Sequence, residues 1–179
     1  DGMFVGKVIG SKGLAAINLV FPIIMIVFAV SDMIAAGASV KIGIKLGEKK
    51  EEEASNIFSI ALLLMFIIDS IFMILSLVFA KDIIFILIKD KELATLSYRF
   101  AYVFILALPI IAPFFALDNY LRLCGKANMS MWINIAVSIL NIILDAILIG
   151  YFKLGIEYAA LCSALSMLIG TLIFLYPFW

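Results

Sequence analysis

Four polar side chains near the carboxyl end of the sequence have a spacing that suits ion chemistry. Asn134, Ser138, Asn141 and Asp145 are four, three and four residues apart, so on an α-helix they form one polar stripe about three turns long. Hard cations prefer oxygen ligands, and a desolvated aspartate readily takes up and releases a proton. The stripe therefore favours water, protons or Na⁺ as its ligands. Polar contact between packed helices is the alternative.

Other charged residues lie in similarly apolar surroundings. Asp32 and Asp69 are each the lone charge of a long apolar segment. A carboxylate in mid-membrane costs about 2.5–3.5 kcal/mol on insertion scales and is often functional, so each is either a relay member or a paired structural group. Asp118 and Arg122 stand four residues apart, the order of a helical ion pair, and a structural salt bridge at the membrane edge is the favoured interpretation.

The segments that carry these residues are apolar enough to cross a membrane. Hydrophobic residues make up 66% of the 179 residues, charged residues 15%, and mean hydropathy is +1.23. Because a spanning helix needs about 20 mostly apolar residues, the sequence predicts an all-α, polytopic membrane bundle of about five spans plus a partial N-terminal helix. The predicted spans lie near 14–40, 55–80, 97–122, 128–151 and 158–178.

Composition also excludes several classes of site. Histidine is absent, which removes histidine-based acid–base catalysis, serine–histidine triads and HExxH zinc sites. The net charge is zero, so nothing suggests a nucleic acid as partner. Cys124 and Cys162 are expected to be free thiols. We expect neither an enzyme nor a bound organic cofactor.

Local signals refine this layout. Gly2, Gly6 and Gly10 have the spacing of close helix contacts, which favours the tail of a spanning helix over a loop. Pro22 predicts a kink in the first full span. The six apolar residues 83–88 are too few to span, so they form either an interfacial segment or a helix extension. The dense lysine cluster at 45–50 weakly favours a cytoplasmic loop there.

Short stretches in order along the chain resemble MATE (multidrug and toxic compound extrusion) transporters. They are DGMFVG at 1–6, GLAAINLVFP at 13–22, KLGEK at 45–49, LRLCG at 121–125, NIILD at 141–145, and GI followed by AAL within 155–161. The resemblance implies that residues 1–179 form a single N-terminal lobe, from the end of helix one into helix six of a twelve-helix fold. Both ends of the chain are accordingly expected to lie within a longer protein.

The resemblance also implies a function. It points to a secondary antiporter of the plasma membrane that exports organic, often cationic compounds in exchange for Na⁺ or H⁺. In one bacterial branch an acid on helix one and an Asn/Asp pair on helix five form a cation site, which corresponds here to Asp1, Asn141 and Asp145, with Asn134 extending the polar path. That family often has a proline after the aspartate, where this chain has Ala146.

The expected partners are the bilayer, a small organic substrate and a C-terminal lobe. Since alternating access needs two halves that rock about a midplane site, this chain alone should not transport. Two other functions stay open. A lipid-linked oligosaccharide flippase of related fold would be favoured by a strongly cationic central cavity, yet no Lys or Arg lies mid-span. A non-transporting membrane-assembly or binding subunit would be favoured if 179 residues were the complete gene product.

Overall fold

The computed structural model describes residues 2–176, and these residues form six α-helices and one π-helical segment. The helices are α1 (Gly2–Val8), α2 (Ser11–Gly47), α3 (Glu51–Leu87), α4 (Lys91–Leu123), α5 (Ala127–Asp145) and α6 (Ile156–Leu175), and the π-helical segment is Ala146–Tyr151. Five helices are long and apolar enough to cross a membrane: α2, α3, α4, α5 with its π-helical continuation, and α6. The predicted five-span, all-α membrane bundle is therefore confirmed.

The observed helices extend beyond the predicted spans. The apolar residues after Lys81 and Asp82 belong to α3, which ends at Leu87, so the segment at 83–88 is chiefly a helix extension. The helix α2 runs without interruption through Pro22. Residues 2–8 are helical, as the glycine spacing predicts, and Gly10, at φ 92°, separates α1 from α2. A positive φ of this kind favours glycine because it has no Cβ.

Local sequence signals explain the turns. The side chain of Asp90 caps α4, accepting hydrogen bonds from the backbone N–H groups of Glu92 at 2.9 Å and Leu93 at 3.3 Å. This satisfies two donors that the first turn of a helix leaves without partners. Gly125, at φ 76°, forms the turn after α4. Such short turns between long helices make sequence neighbours antiparallel in the bundle.

The turn between α2 and α3 is held by ion pairs. Lys45 lies 2.8 Å from Glu53 and 3.2 Å from Glu48, and Lys50 lies 3.0 Å from Glu48. Hydrogen bonds from Lys50 and then Lys45 hold the pKa of the Glu48 carboxyl below its usual range. Because these side chains are solvent-exposed, each pair contributes little to stability. They mark this turn as lying outside the apolar layer.

The helix α4 lies at the centre of the bundle, in contact with α2, α3 and α6. Its side chains Phe100, Ile111, Leu117 and Leu121 are almost completely buried. The helix α5 packs chiefly on α6. On α6, the small residues Ala159 and Ala160 are completely buried in the core that this helix shares with α2 and α4. Small side chains allow helices to approach closely in a membrane. The result is a space bounded by α2, α4, α5 and α6.

Candidate functional site

The polar stripe on α5 is divided between two neighbouring helices. At one end the Asn134 side-chain amide donates a 2.8 Å hydrogen bond to Asp118 Oδ1 on α4. At the other end the Asn141 amide donates to Ser163 Oγ on α6, at 3.3 Å. Between them the Ser138 hydroxyl bonds to its own helix, donating to the Asn134 carbonyl at 2.8 Å. The stripe therefore joins α5 to α4 and α6 as well as facing an open space.

That space is a cavity of about 480 Å³ between α2, α4, α5 and α6, here called the central cavity. Its polar lining comes from α5 and α6: Asn134, Ser138, Asn141, Ser163 and Ser166. Its aromatic lining comes from α2 and α4: Phe21, Phe28, Phe104, Phe114 and Phe115. A mostly apolar pocket of a few hundred Å³ with a few placed polar groups is the usual form of a small-molecule site.

Asp145 lies one turn beyond Asn141 and is completely buried. It is not among the residues that line the central cavity. The Cys162 thiol of α6 lies close enough to interact with its carboxylate, and the next residue, Ser163, accepts the hydrogen bond of Asn141. Consecutive residues of α6 thus face this end of α5: Cys162 lies near Asp145, and Ser163 is bonded to Asn141. A carboxylate, an amide and a hydroxyl at one helix contact suit a small cation or a proton.

The helix changes its hydrogen-bonding pattern immediately after Asp145. The α-helix ends at Asp145, and Ala146–Tyr151 is π-helical. Short π-helical stretches are rare and occur frequently at functional sites. This chain has no proline after the aspartate, and the π-helical segment provides a local distortion at the same place. Asp1, the third predicted member of the ion site, lies outside the described residues.

The predicted Asp118–Arg122 pair belongs to a larger cluster between α4 and α5. Arg122 Nη2 lies 2.9 Å from Asp118 Oδ2, while Asp118 Oδ1 accepts hydrogen bonds from Ser130 and Asn134. Arg122 Nε also donates to Ser130 Oγ at 3.0 Å. The arginine side chain is half exposed and the aspartate mostly buried. The cluster fixes the end of α5 that carries Asn134 against α4.

The remaining two acids lie apart from the α5–α6 contact. Asp69 on α3 is completely buried, and its Oδ1 accepts a hydrogen bond from the Ser31 hydroxyl of α2. Within residues 2–176 its Oδ2 has no hydrogen-bond partner. Asp32, next to Ser31 in sequence, is exposed and lines a second cavity of about 320 Å³. Asp69 is thus part of a buried pair with Ser31, whereas Asp32 faces an open cavity.

Five of the predicted residues form two groups, and the sequence interpretation missed some of their partners. Asn134 joins Asp118 and Arg122, whereas Asn141 and Asp145 meet α6. Ser163 and Ser130 were not singled out, because a lone serine in an apolar segment gives no signal of its long-range contact. Only the three-dimensional arrangement shows that five phenylalanines share one cavity.

Comparison with known proteins agrees with this arrangement. The sequence profile of the MatE family matches residues 1–147. The multidrug export protein MepA of Staphylococcus aureus is 30% identical over 175 residues, covering 98% of this chain and 39% of MepA. The probable multidrug resistance protein YoeA of Bacillus subtilis is 26% identical over 168 residues, covering 92% of this chain and 36% of YoeA.

Solved structures match equally well. An outward-facing multidrug resistance MATE family transporter of the MOP superfamily superposes with a TM-score of 0.92 at 29% identity, over all of this chain and 40% of that one. The chain therefore has the fold of part of such a transporter and spans well under half the length of these relatives.

Proposed function

Since this chain belongs to the MatE family of transporters, we propose that it is the ion-coupling N-terminal lobe of an antiporter. The complete antiporter exports organic, often cationic compounds in exchange for Na⁺ or H⁺. The chain itself is a multi-pass membrane protein, and the proposed location is the plasma membrane. MepA is a multidrug export protein, and the same class of cargo is proposed here.

The observation that carries the proposal is the α5–α6 contact at Asp145. A completely buried carboxylate is costly in a membrane unless a proton, a cation or polar neighbours compensate for it. Its neighbours Asn141, Ser163 and Cys162 supply an amide, a hydroxyl and a thiol. Asp145 would bind the coupling ion, while Asn141 and Asp1 complete the oxygen ligands and Asn134 extends the polar path. No other cofactor is proposed.

The central cavity supports a small organic substrate. Five phenylalanines line one side and five polar side chains line the other, which suits an amphipathic molecule with aromatic rings. Among the described residues none of the lining side chains is Lys or Arg. A phosphate-bearing lipid-linked sugar would need such cationic groups, so the lining supports drug-like cargo over the flippase alternative.

Asn141 connects the two sites. Its side chain lines the central cavity and also contacts Ser163 beside Asp145. A substrate that displaces this amide would change the environment of the coupling ion, and the reverse holds by linkage. Typical couplings of this kind amount to about 1–3 kcal/mol. Export further requires a second lobe, because alternating access depends on two halves that move about a shared site.

The test is Asp145→Asn in the full-length transporter, reconstituted in proteoliposomes. This variant keeps the side-chain shape but removes the charge, so export driven by a Na⁺ or proton gradient should fall by an order of magnitude or more. Asp82→Asn, at an exposed site near the end of α3, makes the same charge change and should leave export unchanged. Export by Asp145→Asn that keeps its full dependence on Na⁺ and pH would refute the assignment.

A further inference from the structure

Asp32 is an intramembrane carboxylate that the proposed ion site does not use. It lies about 8 Å from the midpoint of the predicted span 14–40, at 1.5 Å per residue. Its side chain is exposed, and it makes no hydrogen bond or ion pair with any residue from 2 to 176. An unpaired carboxylate at this depth is costly, so water or a cationic group in the adjoining space would stabilise it.

The cavity beside Asp32 has the chemistry to hold such a group. It measures about 320 Å³, lies between α2, α3 and α4, and is here called the α2–α3–α4 cavity. Among the described residues that line it, Asp32 and Ser31 have the only polar side chains. The Ser31 hydroxyl donates a hydrogen bond to Asp69 Oδ1, so toward the cavity it offers only acceptor lone pairs. The lining thus presents acceptors and one negative charge.

Aromatic rings complete this cavity. Phe28 of α2 and Phe115 of α4 both line it and contact each other edge to face, with ring centroids 5.6 Å apart. Aromatic faces attract cations as well as flat apolar rings. Met25 and Met65 add polarizable surface that adapts to different shapes.

The α2–α3–α4 cavity adjoins the central cavity. Met25, Phe28 and Phe115 line both spaces, so the two cavities share one wall. A ligand that reached both spaces past this wall would have its charge toward Asp32 and its remaining rings toward the phenylalanines of the central cavity.

We propose that the α2–α3–α4 cavity binds the positively charged group of an aromatic organic cation, with Asp32 as its counter-ion. This inference rests on the proposed export function and adds a cargo-charge site separate from the coupling ion at Asp145. Asp32 thereby selects cationic over neutral cargo, whereas Asp145 couples transport to the ion gradient.

The experiment measures equilibrium binding to the purified full-length transporter by dialysis. The probes are ethidium, a permanent aromatic cation, and 6-phenylphenanthridine, its uncharged ring system at pH 8. Asp32→Asn should raise the Kd for ethidium at least about tenfold, because a close opposite charge is lost from a partly desolvated site. The Kd for the neutral probe should stay unchanged. Asp32→Glu should retain ethidium binding, and Asp82→Asn is the matched control.

The results separate this inference from the proposed function. The assignment of Asp32 is overturned if Asp32→Asn leaves the Kd for ethidium unchanged, or if the unaltered protein does not bind ethidium. In either case, gradient-driven export by the unaltered protein would leave the antiporter proposal standing. Equal weakening of both probes would mean that Asp32 pairs with another part of the protein, which also overturns it. The coupling site is tested separately by Asp145→Asn: export should lose its dependence on the ion gradient while ethidium binding stays intact.

Discussion

Asp69 lies near the middle of its span, completely buried, with the Ser31 hydroxyl as the donor to one oxygen. Removing a partner from a buried polar group costs more than the hydrogen bond itself contributed, because the remaining group loses water without replacement. Loss of the Ser31 hydroxyl would therefore weaken the α2–α3 contact, because the buried Asp69 carboxyl would lose its donor.

We expect Ser31→Ala to lower the free energy of unfolding by about 1–3 kcal/mol, since it leaves the Asp69 carboxyl without this donor. The matched control is Ser59→Ala, an exposed serine whose hydroxyl donates to its own helix at the Ser55 carbonyl, which should change stability by less than about 0.5 kcal/mol. Denaturant-induced unfolding in detergent micelles measures both. Equal effects would show that the interhelical bond is not stabilising.

For individual side chains, the sequence predicts hydrogen-bond and ion-pair partners only when both residues lie on the same helix. The i, i+4 spacing of Asp118 and Arg122 predicts an ion pair, and the structure has one at 2.9 Å. The partner of Asp69 is 38 residues away, and Ser31 stands beside Asp32 in sequence while it bonds to Asp69 in space. Contacts between helices depend on their rotation and depth, which no local spacing contains.

Among the described glycines, Gly170 of α6 leaves the least room for a Cβ. A Cβ at this position would lie 2.5 Å from Phe114 Cε2 of α4 and 2.6 Å from Val137 Cγ2 of α5. Only glycine allows the three helices to meet at this distance. Phe114 and Val137 also line the central cavity, so this contact sets part of the cavity wall.

Gly170→Ala should therefore destabilise the protein by about 1–3 kcal/mol, the usual cost of overpacking a core. Gly37→Ala on α2, where a Cβ would meet nothing within 4 Å, should be neutral or stabilising because alanine is the better helix former. Thermal unfolding in micelles distinguishes the two variants. A Gly170→Ala protein as stable as Gly37→Ala would show that Phe114 and Val137 can move aside.

Helix number and type followed from the sequence because long charge-poor segments can only be spans. The π-helical segment after Asp145 did not, since residues 146–151 resemble any apolar helix. The extension of α3 to Leu87 also remained open, because hydropathy does not tell a helix that continues past two charges from a separate interfacial segment.

For the whole molecule, the alternation of helices fixes which turns share a side of the membrane. The turns at 48–50 and 124–126 are separated by two spans, α3 and α4, so they lie on the same side. The turn at 88–90 lies on the other. The lysine cluster before α3 predicts that the first two face the cytoplasm.

A membrane-impermeant maleimide added to intact cells should therefore label Lys89→Cys, a variant made in a Cys124→Ser background. The same reagent should label neither the exposed native Cys124 nor Lys49→Cys. Permeabilised cells should show labelling of Cys124 and Lys49→Cys, while buried Cys162 reacts only after unfolding. Labelling of Cys124 from outside would reverse the predicted orientation. Labelling of Cys124 and Lys49→Cys from different sides would contradict the helix order itself.

The unequal lengths of the helices have a consequence for the surrounding lipid. The 20 residues of α6 extend about 30 Å, close to the hydrocarbon thickness, whereas the 37 residues of α3 extend about 55 Å. A helix with excess apolar length tilts or thickens the bilayer locally. Because Met65 of α3 lines the α2–α3–α4 cavity, acyl-chain length would alter that tilt and, with it, the width of the space beside Asp32.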